Sequence, residues 1–84
     1  MKKLLLTRHA ETKLRERRLK MEWVVRTVRN PLWVEPESRD ETAERRFAKI
    51  EEFDGRILRV VCVETENVIR VITALFDRDA RSER

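Results

Sequence analysis

The chain has very few of the residues that build phosphate loops, disulfides and metal sites. Its 84 residues include one glycine, one cysteine and one histidine. Glycine-rich phosphate loops need several glycines, so that class of nucleotide site is excluded. A lone cysteine cannot form an internal disulfide, and no His, Cys and Asp cluster has the spacing of zinc ligands. The sequence therefore predicts neither a metal nor a cofactor.

Long apolar runs are also missing. The three leucines at residues 4–6 are much shorter than the apolar segment of a signal peptide, and Arg8 follows closely. No transmembrane or targeting segment is expected. Cys62 lies in the apolar run 60–63 and is predicted to be a buried, reduced thiol. The expectation is a cytoplasmic protein that does not bind membranes.

Charge is abundant instead. Charged residues make up 43% of the chain, and 20 basic against 16 acidic residues give a net charge of +4. This balance is compatible with RNA, with an acidic protein partner or with neither. The arrangement of the charges on the folded surface decides between them.

Apolar spacing and turn residues divide the chain into elements. Helical spacing is clearest in the segment that ends before Pro31, and Asp54-Gly55 indicates a two-residue hairpin turn. The predicted elements are a strand at 3–7, helices at 8–18 and 21–29, an extended connector at 31–36, a polar loop at 37–42, and strands at 45–53, 56–64 and 68–76. Residues 1–78 are predicted to form one domain, and 79–84 a charged C-terminal tail that frays.

This order predicts an α+β fold. A short N-terminal strand and two helices precede a three-strand antiparallel meander, and both helices lie on one face of the sheet.

The predicted turns fix which side chains share a face of the sheet. Two-residue turns at Asp54-Gly55 and at Glu66-Asn67 place Arg46, Arg59 and Arg70 on the face away from the helices. Such a face can bind backbone phosphates, because guanidinium groups fit phosphate geometry, or it can serve only as a solvated surface. A three-residue turn would move Arg70 to the helix side.

A second basic constellation lies on the first predicted helix. His9, Lys13 and Arg17 are spaced by four residues and so form one stripe along the helix. Histidine is the side chain best suited to transfer protons near neutral pH, but a lone histidine is more often a capping or surface residue. Both interpretations stay open.

Several short motifs carry a family resemblance. They are Arg8-His9-Ala10, Lys13-Leu14-Arg15-Glu16-Arg17, Trp23-Val24, Asn30-Pro31, Trp33-Val34-Glu35, Val71-Ile72-Thr73-Ala74 and Asp77-Arg78. Over about residues 7–78 the chain is similar to a small bacterial and archaeal family of unknown function. That family resembles the BrnT toxins, whose fold looks like that of the RelE and ParE toxins.

The resemblance implies a toxin-like ribonuclease that cleaves RNA without a metal and is held inactive by a cognate DNA-binding antitoxin. The 2′-hydroxyl of the RNA would be the nucleophile, so the protein supplies a proton carrier and positive charge. His9, Lys13 and Arg17 match the helix pattern of the family, and Arg59 and Arg78 match its strand and tail positions.

The chain also departs from this family. Arg18 stands where relatives have a glycine that ends the first helix, and Lys20 stands where they have a serine-like cap. Leu75 occupies a position where relatives often carry an aromatic hydroxyl, and the chain contains no tyrosine. A RelE-like mechanism that uses a C-terminal tyrosine is therefore excluded.

The sequence thus predicts a toxin-like, metal-independent RNA endonuclease or an RNA-binding relative of the type II toxins. The predicted catalytic residues are His9, Arg59 and Arg70, and the predicted RNA-binding residues are Lys13, Arg17, Arg46 and Arg78. The alternative is a non-catalytic protein-interaction module with an apolar centre at Val61, Val63 and Ile72. The candidate partners are RNA, a cognate antitoxin and a second copy of the chain.

Overall fold

The computed structural model describes residues 1–80, which contain two α-helices and five β-strands. In chain order these are β1 (Lys3–Leu6), α1 (Arg8–Glu16), α2 (Met21–Arg29), β2 (Trp33–Pro36), β3 (Glu44–Ile50), β4 (Arg56–Glu64) and β5 (Val68–Phe76). The predicted α+β class is confirmed. None of the helices within these 80 residues is long and apolar enough to span a membrane.

Helix α1 begins and ends with defined caps. The Thr7 hydroxyl accepts a hydrogen bond from the Ala10 N–H at 3.1 Å, which satisfies one free donor of the first turn. At the other end Arg18 adopts a left-handed backbone with φ of 55°, and the Leu19 N–H donates to the Leu14 carbonyl at 2.9 Å. The helix therefore ends in the left-handed cap that glycine usually forms, although an arginine occupies the position.

Helix α2 buries one face on the sheet. Its buried residues are Trp23, Val24, Thr27 and Val28. The Thr27 hydroxyl donates to the Trp23 carbonyl at 2.8 Å, so this buried polar group is satisfied inside the helix. The helix ends at Arg29, because Pro31 pushes Asn30 out of the helical conformation.

The strand order in the sheet is β1-β5-β4-β3-β2. The pairs β2–β3, β3–β4 and β4–β5 are antiparallel, and β1 is parallel to β5. The prediction of a connector at 31–36 is wrong for its last four residues, since Trp33–Pro36 pairs with β3 as a strand. The sheet therefore has five strands where the sequence predicted four.

The predicted tight turn at Asp54-Gly55 is also wrong. A short 3-10 helix at Glu51–Phe53 precedes Asp54 and Gly55, which both have a left-handed backbone. As a result Ile50, and not Phe53, lies opposite Arg56. This shift of three residues is odd, so it exchanges the two faces of β3.

The exchange corrects the prediction that Arg46, Arg59 and Arg70 share one face of the sheet. Arg46 pairs with Val60 in the sheet and lies on the helix side, whereas Phe47 pairs with Arg59 on the face away from the helices. We call this second face the open face. The β4–β5 register is as predicted where Val63 lies opposite Arg70. Arg59 and Arg70 therefore share the open face without Arg46.

The hydrophobic core lies between the helices and the sheet. Its members include Ala10, Leu14, Leu19, Trp23, Val24, Val28, Ile50, Leu58, Val60, Cys62, Ile69, Val71 and Ala74. A register shift between Val61 and Cys62 brings Ala74 to the core and leaves Leu75 on the open face. Cys62 is a free and fully buried thiol, as predicted, and burial raises its pKa to about 11.

The predicted fraying tail begins with an ordered turn. The Asp77 carboxylate accepts hydrogen bonds from the N–H groups of Asp79, at 2.9 Å, and Ala80, at 3.1 Å. The rest of that predicted tail, residues 81–84, lies outside the described residues.

Candidate functional site

Three arginines line a groove at the C-terminal end of β5. The groove has a volume of about 730 Å³ and lies between the end of α1, the β3–β4 connection and residues 75–80. Arg17, Arg56 and Arg78 line it, together with the apolar side chains of Leu19, Ile57 and Leu75. We call it the arginine groove.

Arg17 is held at the groove by the edge of the sheet. Strand β1 pairs with β5 only as far as Val71, so among residues 1–80 no strand neighbours the following part of that β5 edge. There the Arg17 Nη1 donates to the Ala74 carbonyl at 2.7 Å. An arginine has five N–H donors, so this bond orients the guanidinium group and leaves donors for a ligand.

Arg56 is placed by the connection between β3 and β4. Its guanidinium carbon lies 5.0 Å from the ring centroid of Phe53, a cation–π contact. Phe53 packs in turn against Trp23 and Phe76, with ring centroids 5.4 and 4.9 Å away. The aromatic cluster thus supports one wall of the groove.

Arg78 lies in a turn whose first residue, Asp77, is bound to β4 in two ways. The Asp77 N–H donates to the Ile57 carbonyl at 2.9 Å, which ties the turn to β4. The Asp77 Oδ2 accepts from the Arg59 Nη1 at 3.1 Å, from the open face. Arg59 therefore helps to hold the turn that presents Arg78.

The charges along the groove favour anions. Its lining contains three arginines and two aspartates, Asp54 and Asp77. Because Arg59 already pairs with Asp77, the positive charge of the groove is only partly offset. Guanidinium groups that converge on one cavity are suited to phosphate oxygens.

The basic stripe of α1 leads away from this groove. Lys13 lies one helical turn before Arg17, with its Nζ 3.2 Å from a Glu16 carboxylate oxygen. His9 is exposed at the start of the helix. At 1.5 Å per residue, His9 and Arg17 are about 12 Å apart along the helix direction.

A second pocket lies on the open face beside the arginine groove. Its volume is about 680 Å³, and its lining includes Glu35, Arg45, Phe47, Arg59, Leu75 and Arg78. We call it the open-face pocket. Segment 75–80 separates it from the arginine groove, and Arg78 lines both.

Some predicted site residues line a cavity or lie on the helix that leads to it, and others lie elsewhere. Arg17 and Arg78 line the arginine groove, Arg59 lines the open-face pocket, and His9 and Lys13 lie on the connected helix. Arg70 is exposed near the other end of β5, about 17 Å from Leu75 at 3.3 Å per residue. It does not contribute to either cavity.

Arg46 lies outside both cavities because the changed register turns it inward. It is 8% exposed and donates to Glu44 at 2.7 Å, to Glu64 at 2.6 Å and to the Val28 carbonyl at 2.9 Å. Lys2 also donates to Glu64, and these two bonds lower the pKa of that carboxyl to about 2. The network joins α2 to the sheet, which is a structural role.

Sequence reasoning missed Arg56 and Arg45 as lining residues. Arg56 follows Gly55 directly, but the tight turn assumed for this segment gave it no role. Arg45 lies next to Arg46 in β3. Because the predicted register reversed the faces of this strand, the sequence placed Arg46 on the open face, where the structure has Arg45. Within residues 1–80, no group of three or more His, Cys, Asp or Glu side chains is placed to hold a metal ion.

Comparison with known proteins identifies the family of the chain. Residues 6–76 match the family model described as "Domain of unknown function (DUF4258)". Comparison with curated proteins and with solved structures gives no match. The matched range contains His9, Arg17, Arg56 and Arg59 and ends just before Arg78. Because the match covers most of the chain, the protein belongs to the DUF4258 family.

Proposed function

We propose that this protein binds RNA through the arginine groove and cleaves it without a metal, as toxin-like ribonucleases do. The observation that carries the proposal is the convergence of Arg17, Arg56 and Arg78 on one groove. Two of these residues were predicted to bind RNA from the sequence alone. Guanidinium groups contact phosphates by paired hydrogen bonds, and their charge is independent of pH in the physiological range.

Metal-free cleavage of RNA makes defined demands on the protein. The 2′-hydroxyl oxygen bonds to the adjacent phosphorus as it loses its proton, and the bond from phosphorus to the 5′-oxygen breaks as that oxygen gains a proton. Proton carriers and positive charge near the crowded phosphate lower the barrier. In this proposal the groove arginines hold the strand, Lys13 supplies positive charge one helical turn from His9, and His9 carries a proton at the phosphate that is cleaved.

The basic stripe along α1 connects RNA binding in the arginine groove with proton transfer at His9. An RNA strand that leaves the groove at Arg17 and follows α1 passes Lys13 before it reaches His9. Lys13 is partly exposed and, within the described residues, pairs with the exposed carboxylate of Glu16, so a phosphate can compete for it. Binding in the groove and proton transfer at His9 therefore act on neighbouring nucleotides of one strand.

The test is an RNA cleavage assay in the presence of EDTA. The wild-type protein is expected to cleave single-stranded RNA, and His9→Asn to lose about a hundredfold in rate, since general acid–base catalysis contributes at least that much. The Arg17→Gln, Arg78→Gln variant is expected to bind RNA more weakly. Arg15→Gln, which removes one exposed charge from the same helix, is the control and should behave like wild type.

The outcome that overturns the catalytic part is cleavage by His9→Asn at the wild-type rate. The binding part fails if the groove variant and Arg15→Gln bind RNA equally well.

A second candidate is a protein-interaction module that uses the open face. Leu5 is 39% exposed, Val63 and Ile72 are half-buried, and Arg70 lies beside them. Val61, predicted at the centre of such an interface, is only 8% exposed and contributes little. An apolar interface should respond weakly to salt, whereas RNA binding should weaken steeply as salt rises. Sedimentation at two protein concentrations and two salt concentrations distinguishes the two functions.

A further inference from the structure

The open-face pocket adjoins the arginine groove through one turn of the chain. Leu75, Phe76, Asp77, Arg78 and Ala80 line both cavities. A phosphate bound at Arg78 therefore lies next to both. The part of a nucleotide that projects away from that phosphate is its base.

The charges of the open-face pocket are balanced. Its guanidinium groups belong to Arg45, Arg59 and Arg78, and its carboxylates to Glu35, Asp77 and Asp79. Arg45 is also bound by Glu37 at 2.6 Å, and this contact lowers the pKa of the Glu37 carboxyl. A cavity with no net charge is a poor site for a second phosphate. Its fixed donors and acceptors fit the polar edge of a base.

An aromatic pair lies at the pocket, with the buried Phe47 in its lining and Trp33 beside it. The Phe47 ring lies in the lining, and the Trp33 ring stacks on it with centroids 4.5 Å apart and planes 6° apart. The Trp33 Nε1 donates to the Glu35 Oε2 at 2.9 Å, which orients that carboxylate beside the cavity. Aromatic surfaces next to basic grooves are typical of proteins that bind unpaired bases.

Arg59 retains hydrogen-bonding capacity at this place. Its Nη1 binds Asp77, but its buried Nε has no hydrogen-bond partner among residues 1–80. This Nε has almost no exposed surface, so a ligand in the pocket does not reach it directly. The bond to Asp77 uses one of the five N–H donors of the arginine, and the side chain is 23% exposed, so a ligand acceptor can meet the remaining Nη donors. The volume of about 680 Å³ is within the usual range for small-ligand sites.

From these features we infer that the open-face pocket receives an unpaired base of the RNA strand held by the arginine groove, so that the substrate is single-stranded RNA. The inference rests on the proposed function and specifies its substrate. A base in a duplex is stacked and paired, and it must leave the helix before it can enter such a pocket. Duplex RNA therefore gains only the phosphate contacts of the groove.

The experiment compares the affinity of the full-length protein for three probes of equal length. They are a single-stranded RNA, its duplex, and a strand that carries ribose and phosphate without bases. The single strand should bind about tenfold more tightly than the other two, which is the size expected for one stacked base. In Glu35→Ala this preference should fall to about twofold, while affinity for the baseless strand stays unchanged.

A matched control is Glu41→Ala, which removes one exposed carboxylate from the loop before β3 and should keep the full preference. Fluorescence offers an independent readout, because Trp23 is 5% exposed and Trp33 is more accessible. The single strand should quench Trp33, and the baseless strand should not.

The possible failures are distinguishable. If the baseless strand binds as tightly as the normal strand, the base pocket is wrong while RNA binding by the groove stands. If none of the three probes binds, the proposed function itself is wrong.

Discussion

At the residue scale, Arg46 shows how one buried guanidinium group fastens a helix to a sheet. It binds two carboxylates of the sheet and the Val28 carbonyl near the end of α2. Carbonyls of the last helical turn have no partner inside the helix, so this bond satisfies an acceptor that would otherwise be buried without one. The residue contributes to folding at a distance from both cavities.

Arg46→Met is therefore expected to lower the free energy of unfolding by about 2 kcal/mol, because a buried acceptor loses its charged donor. Urea unfolding measures the loss. Arg70→Met makes the same change in charge at an exposed site and should stay within about 0.5 kcal/mol of wild type. RNA affinity should be the same in both variants. Equal stabilities, or weaker RNA binding in Arg46→Met alone, would contradict the structural role.

At the element scale, the cap of α1 and the β3–β4 connection both depend on left-handed residues. Arg18, Asp54 and Gly55 have φ values of 55°, 59° and 66°. Only glycine adopts this region without cost, and other residues lose about 1 kcal/mol or more. The α1 cap thus retains strain at an exposed arginine.

Replacing this arginine by glycine should stabilise the protein. We expect Arg18→Gly to raise the free energy of unfolding by about 0.5 kcal/mol, because relief of the strain exceeds the added entropy of the unfolded chain. Arg18→Ala removes the same charge but keeps the strain, so it should show no such gain. Thermal and urea unfolding of the two variants provide the measurement. A gain of equal size in both would assign the effect to charge.

Element boundaries were predictable where one local signal dominates. The apolar spacing of α2 and the position of Pro31 define that helix, and the run around Cys62 defines a buried strand. Strand β2 was missed because Pro31 and Pro36 bracket it, although Pro36 is tolerated at the end of an edge strand. The 3-10 turn at Glu51–Phe53 was missed because an Asp-Gly pair occurs both in two-residue turns and in longer connections, so Asp54-Gly55 does not reveal the length of the turn.

The consequence of that one missed turn is large. Side chains alternate along a strand, so an odd error in register turns every residue of β3 to the other face. This is why the sequence placed Arg46 on the face away from the helices, whereas it lies on the helix side. The groove residues Arg17 and Arg78 were predicted from family resemblance, which does not depend on register.

At the scale of the whole molecule, ion pairs between distant segments tie the fold together. Lys2 and Arg46 both bind Glu64, and Arg26 of α2 binds Glu52 after β3. The hydrogen bonds from Lys2 and Arg46 lower the pKa of Glu64 to about 2, and the bond from Arg26 lowers that of Glu52 to about 2. Both carboxyls would ordinarily titrate near 4.5.

Stability should therefore depend on pH on the acid side. The unfolded chain binds protons at Glu64 and Glu52 more readily than the folded protein, so their contribution is present above about pH 4.5 and is lost as the pH falls toward about 2. Urea unfolding at a series of pH values should show this decline. Glu64→Gln should flatten part of it, and a stability that stays constant down to pH 2.5 would refute the role of these pairs.

The account as a whole depends on the arginine groove as the surface that binds RNA. The most direct measurement is the salt dependence of affinity for single-stranded RNA, since each neutralised phosphate contributes about 0.7 to the slope of log affinity against log salt. The control replaces three exposed basic residues that line neither cavity, in the variant Arg39→Gln, Lys49→Gln, Arg70→Gln. We predict that Arg17→Gln, Arg56→Gln, Arg78→Gln reduces the slope by about 2, whereas the control keeps the wild-type slope. Equal slopes in the two triple variants would contradict the claim.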